Sequence, residues 1–353
     1  MSFRLPFTSS APMISVIVVN WNRRALLAEC LQSLAAQQGA NFEVIVVDNG
    51  STDDSADFVL QNYVHDGPFP CRLIANPDNR GFCAANNQGI AASSGEFVAL
   101  LNNDAVAMES WLAELLTAFD SPDVGMAASK ILVKRDPARI DKVGHLIFAD
   151  GQNRGRGTGE IDHGQYDRRE EVAWPDGCAA MYRRSMLDEI GGFDEDLFAY
   201  ADDAELGLRA RIGGWRCLYI PEAVVHHERG ATMGVASTAR LRLIERNRVL
   251  LAVKLFPWSL LVLNPFFYFA RLVAGVRAAL AGRGETVRYP GASGKIGMAL
   301  ALVRGDLAAM RLVPRMLAKR REIERFRKLT PTQVRRLLWR YRIPLRVLCE
   351  QAN

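Results

Sequence analysis

Phe97-Val98-Ala99-Leu100-Leu101-Asn102-Asn103-Asp104 is a short apolar run that ends in an acidic turn. A run this short and this uniformly apolar reads as a buried parallel strand rather than a helix. It delivers Asn102 and Asp104 to the carboxyl edge of a sheet, where ligands of open α/β sheets bind. A carboxylate there, flanked by carboxamides, suits a hard divalent cation that holds a diphosphate. Strand-to-turn junctions also favour Asn and Asp for backbone reasons. The run therefore takes its meaning from its neighbours.

Upstream of it, strand and helix patterns alternate. Met13–Asn20 (MISVIVVN) is a β-branched run and reads as a buried strand. Arg24–Gln37 carries Leu27, Leu31 and Leu34 at helical spacing. Phe42–Val47 reads as a second strand ending at Asp48, Asp53–Val64 as a helix, and Cys71–Ala75 as a third strand. Gly81–Ala92 is a small-residue helix, and Trp111–Phe119 is another. This alternation predicts an α/β fold: a mostly parallel sheet with helices on both faces.

Downstream, residues 129–172 are rich in Gly, Arg and Asp. They read as loops, with an edge hairpin, over the carboxyl end of the sheet. Met181–Ile190 and Ala204–Ile212 read as helices, each closed by a Gly-Gly pair. Trp215–Ile220 reads as a strand that ends at Pro221. Val249–Ala270 is long enough to span a bilayer and has one charge, Lys254. Its two prolines and aromatic cluster fit an interfacial or re-entrant helix pair better than a span.

The 353 residues, 49% hydrophobic and 24% charged, suit a globular protein with a sizeable core. Six scattered cysteines form no Cys-x-x-Cys pair, so neither a zinc site nor a disulfide framework is expected, and a reducing cytosol is the simplest home. The first twelve residues lack the apolar core of a signal peptide. The net charge of +5 is uneven: residues 311–353 carry 13 Lys/Arg and 3 Asp/Glu, a net of +10, which leaves −5 for residues 1–310. Such a tail suits nucleic acid or an anionic membrane surface, and the aromatic-rich apolar segment before it favours the membrane. No nucleic-acid-binding motif is present.

Several further motifs can carry chemistry. Asp48, in VVDNGSTDDS, can accept hydrogen bonds from a nucleobase or ribose; an Asx-turn is the alternative. In PDNRGF, Arg80 can pair with a diphosphate, and Gly81 lets backbone approach closely; a plain surface turn is the alternative. Asp202 and Asp203 open a helix, where acids cap free N–H groups. As a pair in an apolar setting they also suit a general base, since burial and mutual repulsion raise a carboxyl pKa. His226-His227 can complete a metal site with Asp104. Trp174-Pro175-Asp176-Gly177 suits the acceptor side of a pocket.

In this order, VIVVNWN, VVDNGSTDDS, NRGFCAANN, LLNNDA, GGFDEDLFAYADDAELGLR and VVHH resemble glycosyltransferase family 2, with its Rossmann-like GT-A fold, over roughly residues 13–250. The subgroup it most resembles is that of bacterial rhamnosyltransferases of O-antigen and cell-wall polysaccharide synthesis. The resemblance implies an inverting transfer of a sugar, with dTDP-rhamnose as one donor, to a glycan or polyprenyl-linked acceptor. It implies a divalent cofactor, Mg²⁺ or Mn²⁺, and a cytoplasmic protein bound peripherally to the inner face of the membrane.

Residue by residue, Asp203, with Asp202 beside it, matches the catalytic base. Asp104 matches the metal-binding acid and His226 the late histidine. Asn20, Asp48, Asn79, Arg80, Gly81, Asn86, Asn102 and Asn103 fall on the nucleotide-sugar side, and Trp174, Asp176 and Gly177 on the acceptor side. Asn102 stands where many members carry Asp, so it offers a weaker, neutral ligand. Asp202 stands where Glu is commoner.

The implied organisation is an extension (1–12), a catalytic domain (13–239) and an apolar, membrane-associating helical region (240–310), then a basic helical tail (311–353). The catalytic domain divides into a nucleotide-sugar half (13–128) and an acceptor half (129–239). Residues 151–159 (GQNRGRGTG) suit a lid. Two other readings are a non-catalytic nucleotide-sugar-binding scaffold and a sugar nucleotidyltransferase. The latter typically needs a Gly-rich loop after the first strand, where Asn20-Trp21-Asn22-Arg23-Arg24 has no glycine.

Overall fold

The computed structural model describes residues 13–228, 237–289 and 291–350. The expected extension at 1–12 lies outside them.

The first half builds as its pattern predicts. β1 (Met13–Asn20) leads through α1 (Arg24–Ala35) to β2 (Asn41–Asp48). A short helix, α2 (Ser55–Val59), runs on as one π-helical turn to Val64 before β3 (Cys71–Ala75). α3 (Gly81–Ala92) and β4 (Phe97–Leu101) follow. β1 lies between β2 and β4, parallel to both, with Asn20 opposite Asp48. That register brings Asn20, Asp48 and the turn after Leu101 to one sheet edge. Alternation divides the strand: Val16 and Val18 pack with Leu27 and Leu31 on one face, Ile17 with Cys83 and Ala85 on the other.

β5 (Ala105–Ala107) and α4 (Trp111–Leu116) precede the region expected to be loops. There the structure differs. β6 (Val124–Val133) is a long, mostly buried strand. β7 (Asp136–Lys142) returns antiparallel to it, and β8 (His145–Ile147) pairs with β9 (Asn153–Gly155) in a separate hairpin. The stretch expected as a lid therefore contains β9.

Next come β10 (Glu170–Glu171) and β11 (Ala179–Arg183), which passes directly into α5 (Arg184–Ile190). The expected helix 181–190 thus begins only at Arg184. Met181 and Tyr182 lie in the centre of the sheet, antiparallel to both β4 and β6. α6 (Asp202–Ile212) leads to β12 (Arg216–His227). β12 does not end at Pro221: Pro221 falls in a register shift between Ile220 and Val224, where a missing N–H is tolerated.

The sheet order is β10-β12-β6-β11-β4-β1-β2-β3, with β5 on β12 and β7 on β6. It is parallel from β4 to β3 and mixed beyond β11.

α7 (Thr238–Leu255), α8 (Trp258–Leu280), α9 (Gly291–Ile323), α10 (Pro331–Arg340) and α11 (Leu345–Glu350) complete the chain. The apolar run 249–270 is split between two of them. Leu250, Leu251 and Leu255 of α7 are buried in the core, and Pro257 starts α8. One side of α8 is tied down by Asn264 Nδ2 to the Asp150 carbonyl (3.0 Å), Tyr268 Oη to Asp306 (2.6 Å) and Arg271 Nε to Asp150 Oδ2 (2.5 Å). The segment after α10 also pairs by backbone with Ile147, which fastens the chain end to the β8–β9 hairpin.

Candidate active site

A cavity of about 540 Å³ opens at the carboxyl ends of β1 and β4 and is closed over by the β8–β9 hairpin and α7. Of the residues expected at the site, Asn79, Gly81, Asn102, Asn103, Asp104, Asp176, Gly177, Asp202 and Asp203 line it. Asn20, Asp48, Arg80, Asn86, Trp174 and His226 do not.

The residues on the β1–β2 side form a hydrogen-bonded frame. Asn20 donates to Asp48 Oδ1 (3.1 Å) and accepts from Asn103 (2.7 Å), so both amides hold turns together. Asp48 Oδ2 accepts the Ser51 N–H. Asn79 and Asn49 bond to each other (2.9 Å), and Asn49 caps the Arg80 N–H (3.1 Å). The Arg80 side chain is exposed, and Asn86 is spent on the Phe82 carbonyl inside α3. Gly81 is required by the backbone: its φ is +86°, and a Cβ would stand 2.4 Å from the Phe198 ring.

Asp104, on the turn after β4, is buried, and its Oδ1 has no hydrogen bond among the described residues. Nε2 of His227 stands 3.3 Å from that oxygen, at ion-pair distance. His227 is turned there by Asp141 of β7, whose carboxylate meets Nδ1 at 2.7 Å. The late histidine at this point is therefore His227, not His226. Successive residues of β12 face opposite sides, which sends His226 away from the cavity. A carboxylate, an imidazole fixed through its far nitrogen, and the amide of Asn102 are a donor set that fits Mg²⁺ or Mn²⁺. An orphaned buried carboxylate oxygen is what such an ion would satisfy.

Elsewhere in the same cavity lies an ionic cluster. α6 begins after a tight turn in which Phe198, Tyr200 and Ala201 all adopt positive φ, a strained conformation for residues with side chains. That turn presents Asp202 and Asp203 together. Asp203 Oδ2 lies 3.1 Å from Nε2 of His145, which also meets Asp176 Oδ2 at 2.8 Å. Lys142 Nζ reaches the same Asp176 oxygen at 2.5 Å.

Burial opposes charge on Asp176, but Lys142 and His145 outweigh it and hold its pKa well below the usual carboxylate range. Burial, and then the charge of Asp203, push Asp202 up to about 8. Burial disfavours a charged His145, yet Asp203 and Asp176 raise its pKa to about 9. The ligating atoms of His145, Asp176 and Asp203 lie within 4.8 Å of one another, close enough for a shared cation. The Lys142 ammonium already lies 2.5 Å from Asp176 Oδ2, one of the oxygens such a cation would take.

Trp174 is fully buried behind this cluster, with its ring stacked 6.3 Å from that of His145. Sequence reasoning did not single out Lys142, His145, Arg240 and Arg248 as lining residues, and it quoted Asn49, Arg154 and Tyr200 within motifs without a binding role. The first four sit in no recognisable motif. They arrive from β7, the β8–β9 hairpin and α7, none of which was assigned at those bounds.

Comparison with known proteins agrees with this architecture. Residues 15–191 match the profile of Glycosyl transferase family 2. The chain is 27% identical over 243 residues to an N-acetylglucosaminyl-diphospho-decaprenol L-rhamnosyltransferase of Mycobacterium tuberculosis, covering 62% of this chain and 78% of that protein. It is 29% identical over 232 residues to the O-antigen biosynthesis protein RfbC of Myxococcus xanthus, covering 62% of this chain but only 17% of that protein. Among solved structures, a mannosyltransferase from Pyrobaculum calidifontis in complex with GDP-Man and Mn²⁺ superposes with a TM-score of 0.53 at 20% identity, covering 90% of this chain and 86% of that one. That likeness is one of fold, the GT-A arrangement of a curled mixed sheet between helical layers. With its profile match spanning the sheet from β1 to α5, the chain belongs to glycosyltransferase family 2.

Proposed function

We propose that this protein is an inverting glycosyltransferase that moves a sugar, rhamnose from dTDP-rhamnose being the first candidate, onto a hydroxyl of a glycan or polyprenyl-linked acceptor. The observation that carries the reading is that one cavity holds both a buried carboxylate, Asp104, beside His227 and a base candidate, Asp203, beside His145.

In this reading the frame of Asn49, Asn79 and Gly81 receives the nucleotide, with Asp48 and Asn20 holding that frame from behind. Asp104 and His227, assisted by Asn102, would hold the divalent cation. That ion, when bound, neutralises charge on the diphosphate leaving group. Asp203 accepts the proton of the acceptor hydroxyl as its oxygen bonds to the anomeric carbon. The bond from that carbon to the phosphate oxygen breaks, and the electron pair leaves with the nucleoside diphosphate. Attack opposite the leaving group inverts the anomeric configuration. Asp176, Gly177 and the β8–β9 hairpin bound the acceptor side and limit access of water.

We place the protein at the cytoplasmic face of the membrane, where a lipid-linked acceptor presents its glycan. Support comes from α8, the one helix among the described residues long and apolar enough to cross a bilayer. Its bonded inner side favours lying on the surface over spanning.

A donor panel tests the reading. Protein with Mn²⁺ or Mg²⁺ is mixed separately with dTDP-rhamnose, UDP-glucose, UDP-N-acetylglucosamine and GDP-mannose, with a simple glycoside as acceptor. Metal-dependent release of nucleoside diphosphate from one donor, with NMR showing an inverted anomeric centre, is expected. A retained configuration in the product would contradict it.

A further inference from the structure

The residues alone offer Asp202 and Asp203 as a pair for the base, the resemblance favours Asp203, and the structure gives the two different neighbours. His145 lies next to one of them only. Its Nε2 is 3.1 Å from Asp203 Oδ2 and 2.8 Å from Asp176 Oδ2, while no hydrogen bond joins it to Asp202 among the described residues. We propose that His145 is a positioning residue for the base: wedged between Asp176 and Asp203, its imidazole holds the Asp203 carboxylate through Oδ2 and keeps it aimed into the cavity. This rests on the reading of Asp203 as the base of a sugar transfer.

The geometry assigns each partner a part. Asp176 is fixed by the Cys178 N–H at Oδ1 (2.9 Å) and by Lys142 at Oδ2, so it cannot turn toward the acceptor. It acts as the anchor against which the imidazole is set. The Trp174 ring stacks near one face of His145 and limits tilting. Among the described residues nothing else bonds the ring, and Nδ1 is buried without a partner there. Its orientation is therefore set by the two carboxylates.

Asp203 has one further constraint, the Ala204 N–H at Oδ1 (2.7 Å). The charged and titratable groups around the pair are Lys142 from β7, Asp176 before β11, Tyr182 from β11 and Asp202 on α6. Arg240 of α7 lines the same cavity. Two adjacent carboxylates in a buried site cannot both ionise cheaply. A cation beside one of them decides which does. The raised pKa of His145 and of Asp202 both have the sign this arrangement requires.

The chain has only five histidines, so the test is direct. Imidazole signals are followed by NMR across a pH titration of the intact protein, with His145 assigned by its loss in His145→Gln. His145 is expected to stay protonated until about pH 9. In Asp203→Asn its midpoint is expected to fall by at least about one pH unit, as removal of a neighbouring charge does. The reciprocal effect falls on activity. His145→Gln should lower kcat at neutral pH by on the order of tenfold with little change in donor KM, because Asp203 loses the ring that holds it.

An imidazole that titrates at its ordinary value, unmoved by Asp203→Asn, would overturn the inference without touching the transferase reading. Full turnover in Asp203→Asn would instead overturn that reading. Should His145→Gln fail to fold, Asp176→Asn serves as the second variant. Removal of that anchoring charge should lower the His145 midpoint, and an unchanged midpoint counts against the proposal.

Discussion

Asp104 and His227 show how a single strand register decides chemistry. The dipeptide His226-His227 offers two imidazoles, and only the facing of β12 tells them apart. Asp141 then fixes the ring, and it belongs to a strand that the sequence pattern does not announce. Metal-dependent nucleotide binding should therefore fall on the order of tenfold to a hundredfold in His227→Ala and stay unchanged in His226→Ala, as calorimetry with UDP or dTDP and Mn²⁺ would report.

A second residue-scale test concerns space rather than charge. Gly207 of α6 faces Trp174, and a Cβ there would lie 2.1 Å from the Trp174 Cβ. Gly207→Ala should destabilise the protein by about 1–3 kcal/mol through overpacking, read as a lower urea midpoint. Since Trp174 backs His145, the same variant should also lower turnover. The placement of Asp104, Asp202 and Asp203 at the cavity was legible because carboxylates at strand ends and helix starts follow local rules, whereas Asp48 stands behind it. His145 and Lys142 were not, because their role exists only once β7 and the β8–β9 hairpin fold over the sheet.

Elements with strong periodicity, from β1 to β4, form close to where the pattern puts them. β6 and β11 escaped notice for a shared reason. VGMAASKILV and AAMYR are rich in alanine and methionine, which carry little β signal, and their places in the centre of the sheet are set by neighbours on both sides.

The C-terminal helices join the α/β part of the chain through a buried ionic network. Lys254 of α7 bonds Asp194 (2.6 Å) and Glu205 (2.7 Å), and Lys319 of α9 reaches Asp194 and Asp196. Burial opposes the charge of Asp194, but Lys254 and Lys319 prevail and lower its pKa to about 2. A carboxyl depressed in the folded state stabilises fully above its unfolded pKa and loses that contribution as pH falls through the folded value. The contribution, about 2 kcal/mol, is present above about pH 4 and fades toward pH 2. The stability gap between wild type and Asp194→Asn, from urea melts, should be largest near neutrality and shrink over that window.

At the scale of the whole molecule, the basic tail expected to meet the membrane is partly committed to the fold. Arg320 donates to the Val253 carbonyl, and Tyr341 and Ile343 pair with the β8–β9 hairpin. The surface free to meet lipid is apolar: Val262, Phe266 and Phe269 of α8, and Val303, Leu307 and Met310 of α9, all exposed. Basic residues such as Arg304 and Arg311 stand on the same helix as the second stripe. Flotation with anionic phosphatidylglycerol vesicles should recover the wild type and lose most of a Phe266→Asp/Phe269→Asp variant, whose fold is preserved because both side chains face solvent. Equal flotation of the two would remove this surface from the account.

The central claim is that the two acidic centres of one cavity do different work, and a paired measurement tests it most directly. Wild type, Asp104→Ala and Asp203→Asn are each titrated with dTDP or UDP in the presence and absence of Mn²⁺, and each is assayed for release of nucleoside diphosphate from the donor that the panel identifies. Asp104→Ala should lose the metal-dependent part of binding and with it turnover. Asp203→Asn should bind as the wild type does while turnover falls on the order of a hundredfold or more. Metal-dependent binding that survives in Asp104→Ala, or turnover that survives in Asp203→Asn, would contradict the assignment.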